Sequence, residues 1–254
     1  MPTAEFPLEI PRSQNRNFQY TTTLCLIMKK TLKIILIVLV SIFSIFQIGK
    51  WTGLLKSYTV TTSSSEPTLK VGNHFITTNL IKPERLDFIT FKHHFQNEFM
   101  NGEYELVFRL CGIERDTVEI KSGILFVNGI NIDKKLKLKY PFLFQRKDIE
   151  KISNKIDLYE YHLNFISNDS VIAQLTEDEA LKLGRKYSER IIESKIEPEI
   201  EKVYNENWNI DNFGPIVIPK DYLFVLGDNR SGSLDSRYLG LINIDKLNGT
   251  VIYK

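Results

Sequence analysis

Five hydroxyl residues stand in a row at Thr61-Thr62-Ser63-Ser64-Ser65, closed by Glu66-Pro67-Thr68-Leu69. A serine hydroxyl is a weak nucleophile at neutral pH, so chemistry here requires a base to take its proton and donors to hold a developing oxyanion. A second polar cluster lies far downstream in "GDNRSGSLDSR", Gly227 to Arg237, where two aspartates, two arginines and three serines share eleven residues. Charges packed this way either hold a fold through buried ion pairs or orient a reacting group, and the structural role is the default reading. A third stretch, "FRLCGIERD" from Phe108 to Asp116, sets Arg109 among apolar strand formers. Taken alone, the serine row reads as a linker, so its meaning depends on what brings the three stretches together.

The elements that must position them are mostly strands. From Tyr58 to about Ile132, β-branched and aromatic runs ("HFITTNLI", "DFITFK", "YELVFRLCGI", "DTVEIKSGILFVNG") alternate with turn signals, and "KSG" and "VNG" predict tight turns. From about Arg146 to Tyr204, "RKDIEKISNKI" and "TEDEALKLGRKYSERIIESKI" carry apolar residues at helical spacing, with Thr176 and Glu179 as a capping box and the charges as a solvated face. The C-terminal part returns to strands and turns. Upstream, Ile34 to Ile48 is apolar except for Ser41, Ser44 and Gln47, and with its flanks it approaches the ~20 residues a bilayer requires. It is apolar all round and no small-x-small site follows it, which favours an uncleaved anchor over a core helix or a signal peptide. Lys29, Lys30 and Lys33 precede the span against Lys50 and Lys56 after it, which leaves the N-terminus in the cytoplasm. Met28-Lys29-Lys30 is the expected start of synthesis. The plan is a disordered cytoplasmic tail (1–28), an anchor (29–55), a β domain in two parts (57–145 and 206–254) and a helical insertion (146–205). With 33 basic against 31 acidic residues spread along 254, no cationic face for nucleic acid is expected. Cys25 and Cys111 fall on opposite sides of the membrane in this plan, so no disulfide is expected.

The combination of "SSEPTLKVGN" with "GDNRSGSLDSRYLG" resembles the type I signal peptidases, membrane-anchored serine proteases that cleave signal peptides from exported proteins. In that family the nucleophile lies three residues before the motif proline, which from Pro67 is Ser64; Ser65 and Ser63 replace the usual methionine and glycine around it. The resemblance implies that Thr62 and the Ser64 amide form the oxyanion hole and that Ser233 orients the general base. It further implies an ionic scaffold from Arg109, Asp228, Asn229, Arg230, Asp235 and Arg237, with Arg109 paired to Asp228 and Arg237 to Asp235. The family's base is a lysine just before the scaffold arginine. Phe108 stands there, and Glu114-Arg115 replaces the Pro-Gly pair that follows in the family. A phenyl ring accepts no proton, and His74, His93 and His94 fall outside the base's place in the motif, as surface or strand-end residues. Two readings stay open: a working peptidase with its base elsewhere in this or a partner chain, or a membrane-tethered protein that binds preproteins or regulates their processing. Self-cleaving DNA-binding repressors share a related catalytic domain, but the span and the lack of a basic reading head argue against them. The implied fold is mainly β, an antiparallel catalytic domain with a helical insertion and one N-terminal transmembrane helix. The implied partners are signal peptides held as an added strand and the lipid bilayer, with no metal or organic cofactor and the oligomeric state left open. The implied location is the bacterial cytoplasmic membrane, with the catalytic domain on its outer side.

Overall fold

In the computed structural model the described residues are 12–52, 54–96, 100–148, 163–182 and 188–253. The chain forms two compact units, Met1–Leu54 and Leu55–Lys254. The first is a helix, α1 (Arg12–Trp51), whose stretch Ile27–Gly49 has mean hydropathy 2.4 over 23 residues and none of its apolar window buried within the protein. At 1.5 Å per residue that stretch is ~35 Å long, enough to cross a ~30 Å hydrocarbon layer. Thr31 returns its hydroxyl to the carbonyl of Ile27 (2.9 Å), which is how a helix absorbs a polar side chain in such surroundings. Two boundaries move. The expected disordered tail is helical from Arg12 onward, because propagation from a formed helix adds one bond per residue fixed and needs no new nucleus. The helix stops at Trp51 and a strand begins at Leu55, so the anchor ends before residue 55.

The second unit is built of antiparallel sheets. The largest joins β1 (Leu55–Thr59), β2 (His74–Thr78), β3 (Phe88–Gln96), β4 (Asn101–Gly112), β13 (Tyr222–Leu226), β14 (Ile242–Asn243) and β15 (Leu247–Tyr253) in the order β1-β2-β15-β3-β4-β13-β14. Strand alternation gives β4 two apolar faces. Phe108 and Leu110 join Ile89, Phe91, Leu223, Val225 and Ile242 on one side, while Val107 packs with Val60, Leu69, Phe75 and Phe88 on the other. The strands β3 and β4 pair without slippage from Phe88↔Arg109 to Gln96↔Asn101. Strand β13 reaches β4 only as far as Leu226↔Arg109, and among the described residues no strand pairs with β4 on that side from Phe108 back to its start.

A second sheet holds β5 (Thr117–Lys121), β6 (Ile124–Val127), β7 (Ile130–Asn131) and β12 (Phe213–Val217). The turns expected at "KSG" and "VNG" are its hairpins. Ser122-Gly123 (φ 49° and 72°) and Asn128-Gly129 (φ 52° and 77°) are both left-handed at both central positions, which matches the twist of the flanking strands.

The expected helical insertion (146–205) mixes helix with strands of a third sheet, whose members are β8 (Tyr140–Gln145), just before it, and β9 (Asn164–Phe165), β10 (Ser170–Leu175) and β11 (Ser188–Arg190) within it, ordered β11-β8-β10-β9. Its period is two: Val171, Ala173 and Leu175 are buried against Tyr140, Phe142 and Phe144. The boundary drawn after residue 145 therefore cuts through a sheet. Among the described residues of this region, helix is found at 146–148, in α2 (Glu177–Lys182) and in α3 (Pro198–Tyr204). The capping box forms as expected, with the Thr176 amide donating to Glu179 Oε2 (2.7 Å) and the Glu179 amide to Thr176 Oγ1 (3.3 Å). Most of "RKDIEKISNKI" lies outside the described residues.

Candidate active site

Ser64 sits in a single 3-10 turn, Ser63–Ser65, entered from an extended Thr62. Three contacts fix the turn. Ser65 is buried and donates its hydroxyl to the Val107 carbonyl of β4 (2.9 Å). The Ser64 carbonyl accepts from the Asn229 amide (3.1 Å) and from the Ser233 hydroxyl (3.0 Å), and Ser233 Oγ also lies 2.6 Å from the Asn229 carbonyl. The Ser64 hydroxyl itself donates to the Gly232 carbonyl at 3.0 Å. Gly227 has no room for a side chain: a Cβ there would lie 1.8 Å from Ser233 Oγ and 2.5 Å from the Ser64 carbonyl.

The charged cluster surrounds this turn from behind. Asp228 is 1% exposed and accepts from Arg109 Nε (2.7 Å), Arg109 Nη2 (2.5 Å) and Thr68 Oγ1 (2.5 Å). Arg109 also donates to the Leu86 carbonyl (2.7 Å) and stacks over the Phe88 ring at 4.3 Å, so its guanidinium is satisfied on three sides. Asp235 caps α4 (Ser236–Leu239), accepts from Arg237 Nε (2.8 Å) and Nη2 (2.7 Å), and takes the Gly227 amide at 3.0 Å. Both expected ion pairs are present. Each is buried and hydrogen-bonded throughout, the condition under which burying a charge is tolerable.

Beside Ser64 lies a cavity of about 570 Å³ lined by Thr62, Ser64, Ser233 and the open edge of β4 at Glu105, Leu106, Val107 and Phe108, among others. Phe108 is 4% exposed and tilts against Phe91 with ring centroids 6.1 Å apart. Among the described residues lining the cavity there is no lysine, arginine or histidine. Among the described residues no amine or imidazole hydrogen-bonds the Ser64 hydroxyl. His74 in β2 lies 3.0 Å from Thr59 Oγ1, and His93 packs edge-on against Phe95. Burial lowers the His93 pKa, assisted by Lys246 and His94. His93 and His94 lie within β3, which continues to Gln96, instead of ending it.

The sequence model of one family, described as signal peptidase, peptidase S26, matches residues 28–254. The chain belongs to that family. Signal peptidase I of Aquifex aeolicus (strain VF5) is 27% identical over 215 residues, 79% of this chain and 76% of that protein. Signal peptidase I P of Bacillus subtilis subsp. natto is 33% identical over 140 residues, 55% of this chain and 70% of its own length. Signal peptidase IB of Staphylococcus aureus (strain Mu50 / ATCC 700699) is 26% identical, covering 89% of this chain and 90% of that one. The activity is accordingly that of a serine endopeptidase that removes signal peptides, and α1 is the apolar helix of a membrane-anchored protein.

Three features of this signal peptidase escaped the sequence reading. Arg230 has Asp133 as its partner, with Nη1 2.7 Å and Nη2 2.5 Å from its carboxylate oxygens. Burial opposes the Arg230 charge, but Asp133 outweighs it and raises the pKa. Nothing in "NIDKK" marks that aspartate. Lys139, 4% exposed, pairs with Glu66 (2.9 Å) directly behind the nucleophile turn, and its backbone bridges Asn229. Glu105 on β4 and Tyr58 on β1, strands that are not adjacent in the sheet, both line the cavity. Removing Asp133 strands a buried guanidinium, so Asp133→Ala is expected to cost about 3–5 kcal/mol and to lower the melting temperature by on the order of 10 °C. Thermal denaturation in detergent followed by circular dichroism measures this; an unshifted melt would show the pair to be dispensable.

Proposed function

We propose that Ser64 attacks the scissile carbonyl of a signal peptide laid as an extra strand on the open edge of β4, at the outer face of the cytoplasmic membrane. The observation that carries this reading is that Ser64 and the unpaired part of β4 line one cavity. An added strand would gain main-chain hydrogen bonds from the free side of β4, which supplies affinity independent of sequence. The Ser64 amide and the Thr62 hydroxyl would face the oxyanion. Collapse of the tetrahedral adduct expels the amine of the mature protein and leaves an acyl-enzyme, which water then hydrolyses. Ser233 acts by holding the Ser64 carbonyl. Arg109, Asp228, Asn229, Arg230, Asp235 and Arg237 fix the loop that holds Ser233. Lys29, Lys30 and Lys33 before the span keep the N-terminus in the cytoplasm.

Phe108 in this reading stands where the family places its lysine, so the Ser64 proton passes to water and turnover is slow. A second reading, a tethered preprotein-binding protein, draws on the same ring in the cavity wall. Incubating the full chain in detergent with a labelled preprotein separates them. The first expects one cut, with the mature N-terminus recovered by sequencing; preprotein that co-purifies but stays intact through prolonged incubation supports the second.

A further inference from the structure

The Ser64 amide can serve an oxyanion only if its direction is fixed. A peptide unit is planar, so its N–H points opposite to the C=O that it shares. In the unit joining Ser63 to Ser64 that carbonyl belongs to Ser63, and it accepts from the Glu66 amide at 3.1 Å. The next unit is held separately, by the Asn229 amide and the Ser233 hydroxyl on the Ser64 carbonyl. Glu66 therefore aims the Ser64 N–H, and what holds Glu66 governs that aim. Its Oε1 accepts from the Val71 amide (3.4 Å) and its Oε2 from Lys139 Nζ (2.9 Å). Lys139 is buried, and its main chain is tied on both sides. Its amide donates to the Asp228 carbonyl (2.9 Å) and its carbonyl accepts from the Arg230 amide (3.0 Å), the two residues that flank Asn229. Lys139 thus joins both clamps on Ser64, by its backbone to the loop that holds the carbonyl and by its side chain to the residue that holds the amide. It does not line the cavity, so it reaches the reaction through Glu66.

We propose that Lys139 is a positioning residue that, through its ion pair with Glu66, aims the Ser64 amide at the oxyanion. The proposal rests on the reading that Ser64 is the nucleophile. Without Lys139 the buried Glu66 carboxylate loses its cationic partner and is drawn toward water, taking with it the amide that closes the turn. Removing one oxyanion donor costs ~10²- to 10³-fold in rate, so misdirecting one should cost roughly tenfold. Binding of an unreactive peptide should stay as it was, because the edge of β4 is untouched.

The test reads the oxyanion site at equilibrium, so it does not depend on a general base. The probe is a fluorescent signal-peptide segment that ends, at the residue before the cut, in a boronic acid. Ser64 Oγ adds to the trigonal boron, the hydroxyl proton passes to solvent, and the tetrahedral borate carries its negative charge into the oxyanion site. The same segment ending in a carboxamide forms no such bond. Dissociation constants for both are measured by fluorescence anisotropy on the full chain in detergent, and on Ser64→Ala, Lys139→Met and the double variant Glu66→Met with Lys139→Met. The double variant replaces a buried pair by apolar side chains, an exchange that proteins tolerate, and it decides the matter should Lys139→Met fail to fold. The expected result is tighter binding of the boronate than of the carboxamide by the parent, an advantage that Ser64→Ala abolishes. In both Lys139 variants that advantage should fall by about tenfold while the carboxamide binds as before. An undiminished advantage in either folded Lys139 variant overturns the proposal, leaving the pair a stabiliser of the fold and Ser64 the nucleophile. No advantage in the parent, or no binding of either peptide, overturns the Ser64 reading and this proposal together.

Discussion

Replacing Phe108 by lysine is expected to raise the rate of preprotein cleavage by ~10²- to 10⁴-fold, the contribution of a positioned general base. The site suits the task. Phe108 is 4% exposed, lines the cavity that holds Ser64, and is backed by Ile89, Phe91, Leu110 and Val225. An amine placed against such a wall is poorly solvated, which disfavours its charged form and lowers its pKa toward the working range. The sign of the pH dependence follows: cleavage by Phe108→Lys should rise with pH as the amine loses its proton and level off above its depressed pKa. The exchange removes a packed ring and leaves a polar head in its place, at a cost in stability of ~3 kcal/mol. Phe108→Met is the control, because it keeps the apolar contact without a proton acceptor and should show no gain. Single-turnover cleavage measured against pH for the parent and both variants decides the matter. A folded Phe108→Lys protein no faster than the parent at any pH would mean that position 108 does not face the reacting hydroxyl.

What could be read from the sequence, and what could not, divides along the range of the interactions involved. The turns at Ser122-Gly123 and Asn128-Gly129 and the Thr176–Glu179 box were legible because each is satisfied within a few residues by local backbone geometry. The Arg109–Asp228 and Arg237–Asp235 pairs were legible only through the family's spacing, since Arg109 lies on β4 and Asp228 in the bend after β13, far apart in the chain. No such spacing pointed to Asp133 or Lys139, which enter the site from the segment leading into β8. The insertion was misread because "TEDEALKLGRKYSERIIESKI" carries helical periodicity over more residues than form a helix. The strand signal that governs the region lies just upstream in "SVIAQL", where alternate side chains pack on β8. Tertiary pairing decided the outcome there, as it commonly does for short segments whose local preference is weak. The start of α1 was missed for the complementary reason: its polar first turns carry no apolar periodicity and are continued from the apolar stretch.

Ser64→Ala is expected to have an effect whose size depends on residue 108. In a Phe108→Lys background, where nucleophile and base act as a unit, losing the hydroxyl should cost up to ~10⁶-fold in turnover. In the parent the same substitution removes a hydroxyl that has no amine or imidazole partner among the described residues, and the loss should be smaller by about the factor that Phe108→Lys gains. The substitution is structurally mild in either background. The Ser64 turn is held by its carbonyl and by Ser65, and the hydroxyl that is lost bonds the Gly232 carbonyl at the cavity wall, so stability should change by only about 0.5 kcal/mol. The cycle of parent, two single variants and the double variant, assayed on one preprotein, therefore reads the coupling between the two side chains separately from folding. Additive effects would place the hydroxyl and residue 108 in separate roles. Undiminished cleavage by Ser64→Ala in both backgrounds would move the nucleophile elsewhere, and Ser65 would be a poor substitute, since its hydroxyl is buried and committed to Val107.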